Sequence, residues 1–202
     1  MPFQKPTEES IKKAFPEISE FSFIASGGFK GVYRARINGA LEALKLINVP
    51  EVPLADVEAV RMRDELVKRV EREIEILKKC QSQYIVKLGA LSPCCKDIEG
   101  RKFIAYSEEF LEGKDLWVLL RDPRTPKPSE AELKSLMKAL IESIREFWQY
   151  GIIHRDIKPC NVIKTGDETR PFVLLDLGIA FSRVDTPLTH GWTPVTYRYF
   201  AP

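Results

Sequence analysis

Apolar residues in the first half of the chain fall in short runs bounded by turn signals. Phe21–Ala25, Val32–Ile37 and Leu41–Ile47 read as strands. Gly27-Gly28 separates the first two, and Asn38-Gly39, a pair that suits a type I′ hairpin, separates the second and third. The period then changes. Between Ala55 and Lys79, residues Val60, Val67, Val70, Ile74 and Leu77 recur at spacings of seven, three, four and three, which is one face of a long helix. Two more strands are expected at Val86–Leu91 and Phe103–Phe110, with Lys96-Asp97 and Glu99-Gly100 in the loop between them. The order β-β-β-α-β-β describes a five-stranded antiparallel sheet with one helix.

Pro123, Pro126 and Pro128 mark the approach to the second half. Ser129, three residues ahead of Glu132, forms a capping box that starts a helix. Leu133, Leu136, Met137, Leu140, Ile144 and Phe147 give that helix an apolar stripe, which ends near Gly151. Short strands follow at Val162-Ile163 and Phe172–Leu175, then a long irregular tail. There is no internal repeat. The pattern predicts an α+β protein of two lobes facing a cleft.

Composition narrows the function classes. The 202 residues carry 31 Lys+Arg against 29 Asp+Glu, and 44% are hydrophobic, which is ordinary for a globular chain. A net charge of +2 does not imply a nucleic-acid partner. No apolar run approaches the ~20 residues of a spanning helix, since Phe172–Phe181 is broken by Asp176. The N-terminus lacks the apolar core of a secretory signal. Cys80, Cys94, Cys95 and Cys160 lack zinc spacing and read as reduced thiols, which suits a cytoplasmic protein.

The most informative stretch is His154-Arg155-Asp156-Ile157-Lys158-Pro159-Cys160-Asn161. A carboxylate, an amine two residues on and an amide five residues on can converge from one tight loop. The run resembles the catalytic loop of eukaryotic-type protein kinases, and Lys158 at its position resembles the serine/threonine branch. The resemblance covers nearly the whole chain from Phe21 on. It implies a two-lobed protein-kinase-like fold with an N-terminal extension at residues 1–20, an N-lobe at 21–112 and a partial, mainly helical C-lobe at 113–202. It also implies roles: Asp156 takes the proton of an attacking hydroxyl, Lys158 neutralises developing phosphoryl charge, and Asn161 holds Mg²⁺. Leu174-Leu175-Asp176-Leu177-Gly178 resembles the family's metal-binding Asp-Phe-Gly element, with Leu in the middle place, so Asp176 is the second expected metal ligand.

The same resemblance assigns the ATP site. Ile24, Ala25, Gly27, Gly28, Gly31 and Val32 belong to a glycine hairpin covering the phosphates, although Ala25 and Lys30 stand where the family has glycines and Gly31 is shifted by one. Lys45 in Ala43-Leu44-Lys45 is the phosphate-contacting lysine, and Glu73 on the long helix is its expected partner in preference to Glu71 or Glu75. Val32, Ala43 and Ile163 would sandwich the adenine, with backbone bonds from Glu109 to Leu111. Glu108 falls where the family usually holds an apolar residue. A carboxylate there is costly without a partner, so it is expected to turn outward, or the strand register to slip by one.

The tail resembles an activation segment: Thr186, Thr189 and Thr193 are candidate phosphorylation sites near Arg155, Thr196 matches the threonine that meets Asp156 and Lys158, and Ala201-Pro202 opens the family's closing motif. The family's Glu and further helices would follow, so the sequence reads as a partial domain with its 129–150 stripe uncovered. Two other functions stay open at this point: a pseudokinase that binds nucleotide or acts as a scaffold, and a small-molecule phosphotransferase. The expected partner is a protein substrate, with no nucleic acid and no membrane span; oligomeric state is not indicated.

Overall fold

The computed structural model describes residues 3–177 and the main chain of 181–182. The chain divides into two compact units, Met1–Val70 with Lys87–Phe110 and Glu71–Val86 with Leu111–Pro202. Among the described residues, no helix is long and apolar enough to cross a membrane.

The first unit is a sheet of five antiparallel strands in the order β1-β2-β3-β5-β4. Its strands are β1 (Ile18–Gly27), β2 (Lys30–Ile37), β3 (Ala40–Val49), β4 (Cys94–Ile98) and β5 (Arg101–Glu109). The expected Asn38-Gly39 hairpin is present, with both residues at positive φ (49° and 86°) as a type I′ turn requires. The fourth strand is a correction. It runs Cys94–Ile98, where a loop was expected, and turns into β5 through Glu99-Gly100, also both at positive φ (56° and 70°). The expected strand at Val86–Leu91 is instead an irregular segment beside the far end of β5. It bridges at Leu88↔Glu108, and Gly89 donates its N–H to the Ser107 carbonyl at 2.8 Å. Pro93 separates the two pieces and removes a ladder donor, which prevents one continuous strand.

The sheet is buried on the face of Tyr33, Ala35, Leu44, Leu46, Phe103 and Ala105 by the segment that precedes it. Helix α1 (Glu8–Ala14) presents Ile11 to that face, and Phe15 follows; both are fully buried. Thr7 caps α1, and its main-chain N–H and hydroxyl both donate to Glu99 Oε1 on the β4–β5 turn, at 2.8 and 2.7 Å. Arg101 grips the other Glu99 oxygen at 2.6 Å and reaches the Gln4 carbonyl at 3.1 Å. The Thr7 hydrogen bonds, followed by those from Ser10 and Arg101, hold the Glu99 carboxyl down at about 2. Ahead of the helix, Phe3 packs edge-on to Phe103 and covers Gly31, where a Cβ would collide with its ring.

Helix α2 (Val57–Lys79) contributes to both units. The second unit adds β6 (Gly113–Asp115), α3 (Leu116–Arg121), α4 (Glu130–Gln149), β7 (Ile152–Ile153), a 3₁₀ turn (Pro159–Asn161), β8 (Val162–Thr165), β9 (Phe172–Leu174) and β10 (Phe181–Ser182). The capping box of α4 forms as expected, with Ser129 N–H on Glu132 at 2.8 Å and Glu132 N–H on the Ser129 hydroxyl at 3.2 Å. The buried line of α4 runs through Ala139, Ser143 and Phe147, so the predicted stripe is wider than the buried face, and Leu133 and Met137 are exposed. Glu146 of α4 accepts the main-chain N–H groups of Gln81 and Ser82 at 2.5 and 2.8 Å. Val86 and Leu174 complete the attachment of residues 80–86 through main-chain hydrogen bonds.

Two measurements test the covered sheet. Phe15→Ala should destabilise the protein by roughly 3–5 kcal/mol in urea unfolding, whereas Trp148→Ala, at a side chain 70% exposed, should change it little. The Glu99 latch has a pH signature. Its folded value lies below the ordinary 4.5, so it stabilises above that pH and weakens as pH falls towards 2. The stability gap between wild type and Glu99→Gln should therefore be full near pH ~6 and close on acidification.

Candidate active site

In the second unit, one loop between β7 and β8 carries most of the predicted chemistry. His154 is buried, and burial pushes its pKa below the ordinary imidazole value, so the ring is neutral near pH 7. Its two nitrogens have different tasks. Nε2–H donates to the Leu175 carbonyl at 3.2 Å, and Nδ1 accepts the Asp156 N–H at 3.2 Å. Arg155, between them, turns the chain at φ 68°, a left-handed conformation that few residues with a Cβ adopt.

Asp156 is thereby presented to its own loop. Its Oδ2 accepts Lys158 Nζ at 2.7 Å and Asn161 Nδ2 at 3.0 Å. Asn161 Nδ2 also donates to the Asp156 carbonyl at 2.9 Å. The 3₁₀ turn begins with Pro159, whose fixed φ suits that position, and ends with the Asn161 N–H on the Lys158 carbonyl at 2.9 Å. These bonds commit the Asn161 amide nitrogen to Asp156 and orient Oδ1 as the acceptor end. Burial opposes the charge on Lys158, but the Asp156 hydrogen bond, the Asp156 charge and Asp176 outweigh it and hold the amine above the usual lysine value.

Asp176 joins this group through its neighbour. Leu175 donates its N–H to the Asn161 carbonyl at 2.8 Å while its own carbonyl receives His154, so strand β9 ends clamped to the loop. Asp176 then turns at φ 57°, and its charge is felt at both His154 and Lys158. Within the described residues, no set of three or more His, Cys, Asp or Glu side chains could hold a metal. The pair Asn161 and Asp176 offers the hard oxygen donors that Mg²⁺ uses when most of its shell comes from elsewhere. Also in this unit, Glu73 is buried while Glu71 and Glu75 are exposed, and Ile163 and Leu111 are half-buried. Thr186, Thr189, Thr193, Thr196 and Ala201-Pro202 lie outside the described residues.

The first unit holds the other predicted residues. Lys45 of β3 stands opposite Val32 of β2, so Val32, Ala43 and Lys45 share one face of the sheet. The glycine hairpin turns at Gly28-Phe29, with Gly28 at φ 53°. The positions where Gly27 and Gly28 would carry a Cβ are open, while Ala25 and Ile24 are exposed beside them, Ile24 on a register shift in β1. Gly31 belongs to the same hairpin. It lies on the opposite face from Lys45, where packing of Phe3 accounts for the missing side chain. Glu109 uses its N–H on the Lys87 carbonyl at 2.9 Å and its carboxylate on the Lys87 N–H at 2.8 Å.

Glu108 neither turns outward nor shifts register. Lys45 is paired with Tyr106 in the ladder and Ala43 with Glu108, which puts Glu108 diagonally across from Lys45 on the same face. The two side chains form a buried ion pair, with 7% and 5% of their surfaces exposed. The Lys45 ammonium also lies 5.3 Å from the centre of the Tyr106 ring. Sequence reasoning missed this pair, although the signal was available: diagonal neighbours on adjacent strands are within reach of a long side chain.

The Asp156–Asn161 contact makes a spectroscopic prediction. Asn161→Asp would set a second carboxylate where the amide now donates at 3.0 Å. One of the two carboxyls should then titrate well above the ordinary Asp value of about 3.9 in carbon NMR. Two unperturbed titrations would show that the contact is not held in solution.

Comparison with known proteins gives the same assignment along most of the chain. The protein kinase domain family matches residues 19–202. The probable serine/threonine-protein kinase fnkE of Dictyostelium discoideum is 29% identical over 164 residues, 79% of this chain and 12% of that protein. Serine/threonine-protein kinase PknH of Mycobacterium bovis is 31% identical over 137 residues, 66% of this chain and 21% of its own length. The putative mitogen-activated protein kinase 14C of Drosophila melanogaster is 27% identical over 184 residues, 89% of this chain and 47% of its own. The chain spans less than half the length of each of these relatives. Because the family match takes in the sheet, the loop around Asp156 and the turn at Asp176 together, the likeness is that of a domain, and the chain belongs to the protein kinase family.

Proposed function

We propose that the protein is a serine/threonine protein kinase that transfers the γ-phosphate of Mg·ATP to hydroxyl groups of protein substrates. The observation that carries this reading is the single loop that grips the Asp156 carboxylate from two sides, by Lys158 and Asn161, with the Asp176 charge beside it. The residues suit that nucleotide. Asn161 and Asp176 supply hard oxygen donors for Mg²⁺, Lys45 supplies a cation for phosphate, and Gly27 and Gly28 leave bare main chain with open space above it. When bound, the metal neutralises phosphate charge.

The protein's own residues do the rest. Asp156 accepts the proton of the attacking hydroxyl, and Lys158 holds that carboxylate in place. Lys45 contacts the α- and β-phosphates, with Glu73 as its partner from α2. Val32, Ala43 and Ile163 offer apolar surface to the adenine, Glu109 and Leu111 offer main chain, and Ile24 and Ala25 flank the glycine turn. Lysine two places after Asp156 and the named relatives support protein serine and threonine as acceptors. Among the described residues, Cys80, Cys94, Cys95 and Cys160 form no disulfide, which suits a reducing cytoplasm.

Radiolabel transfer from ATP to a pooled set of serine, threonine and tyrosine peptides tests the assignment. Asp156→Asn should lower the rate by about 10²–10⁴, and Asp176→Asn should lower it with a loss of response to Mg²⁺. Equal labelling by wild type and both variants would refute the roles given to these carboxylates. Label appearing only in metabolites would refute the acceptor class.

A further inference from the structure

The face of the sheet that carries Lys45 carries a second ionised group that the phosphotransfer chemistry does not use. Glu108 is 3% exposed, and its strand is held on both sides. On one side Ala43 pairs with it across β3–β5. On the other, Leu88 bridges to it, Gly89 N–H donates to Ser107 at 2.8 Å and Glu109 N–H donates to Lys87 at 2.9 Å. A carboxylate pinned inside the sheet is tolerable only with a partner. Lys45 fills that need from the neighbouring strand, with its ammonium in direct contact with the Glu108 carboxylate.

We propose that Glu108 is a positioning residue that competes with the nucleotide phosphates for Lys45 and so lowers nucleotide affinity. The inference rests on the nucleotide reading given above and deepens it. Two effects act in the same direction. The phosphates must draw the ammonium from, or share it with, a carboxylate already in contact with it. The Glu108 charge also repels anions brought to Lys45, and it does so with little screening because the pair is out of water.

Glu108→Gln keeps shape and hydrogen bonding while removing the charge, and Glu108→Met fills the place with an apolar chain. Calorimetric binding of ADP should tighten about tenfold in either variant, equivalent to about 1.4 kcal/mol. A second readout needs no nucleotide. Peptide mass spectrometry after brief treatment with a small acylating reagent at pH ~8 should show Lys45 labelled several-fold faster in Glu108→Gln, because the amine loses the carboxylate that holds it against the sheet. Unchanged or weaker ADP binding in a folded variant, confirmed by its melting curve, would overturn the role of Glu108. ADP binding by wild type that Lys45→Met abolishes would leave the nucleotide reading standing in that case. Absence of ADP binding in wild type and both Glu108 variants would refute the nucleotide reading and this inference with it. Should Glu108→Gln not fold, Glu108→Met decides the same question.

Discussion

An ionised side chain removed from water needs a counter-group within reach, and both parts of the candidate site are arranged around that requirement. In the first unit it joins Lys45 to Glu108 across two strands. In the second it gathers Lys158 and Asn161 around Asp156 and leaves His154 uncharged between two main-chain groups. Neither arrangement is a free choice of rotamers. Strand register fixes which residues share a face with Lys45, and the 3₁₀ turn opened by Pro159 brings an amide back onto a carboxylate five residues earlier. The chemistry-bearing groups are therefore held by elements that form for reasons of backbone geometry.

That origin leaves the second unit's side chains set in place around Asp156. For the role proposed above for Asp156, a general base works best when its geometry precedes the reaction. The Asp156 carboxylate has its orientation set by two neighbours, Lys158 and Asn161, and the Asp156 main-chain N–H is already engaged by His154. The position of Asp176 follows from Leu175, which is bonded at both its N–H and its carbonyl. The left-handed turns at Arg155 and Asp176 sit at the two ends of this arrangement. Such conformations cost energy for residues with a Cβ, and here they aim two carboxylates at one region.

Much of this was legible from residue order because the signals were local. The Asn38-Gly39 hairpin, the α4 capping box and the buried direction of Glu73 each follow from a few neighbouring residues. The fourth strand was not legible, since Val86–Leu91 is more apolar than Cys94–Ile98 and hydrophobic alternation favoured the wrong segment. Glu99-Gly100 carried the correct answer, as two residues able to adopt positive φ back to back, but a glutamate there does not read as a turn. The Lys45–Glu108 pair was hidden for a different reason: the two residues are far apart in sequence, and their meeting depends on which residue of β5 faces which residue of β3. Gly31 was likewise opaque in one respect: the phenylalanine ring that lies where its side chain would be comes from 28 residues earlier in the chain.

The covered face of the sheet has a practical corollary for anyone who works with this domain in pieces. The family match begins at residue 19, and a boundary drawn there looks natural in an alignment. It would discard Ile11 and Phe15, both fully buried, together with the ring that lies on Gly31. What remained would be a β-sheet with a greasy back open to solvent and a glycine hairpin that had lost its rear support. The residues that read as a leader to the domain are better regarded as its keel.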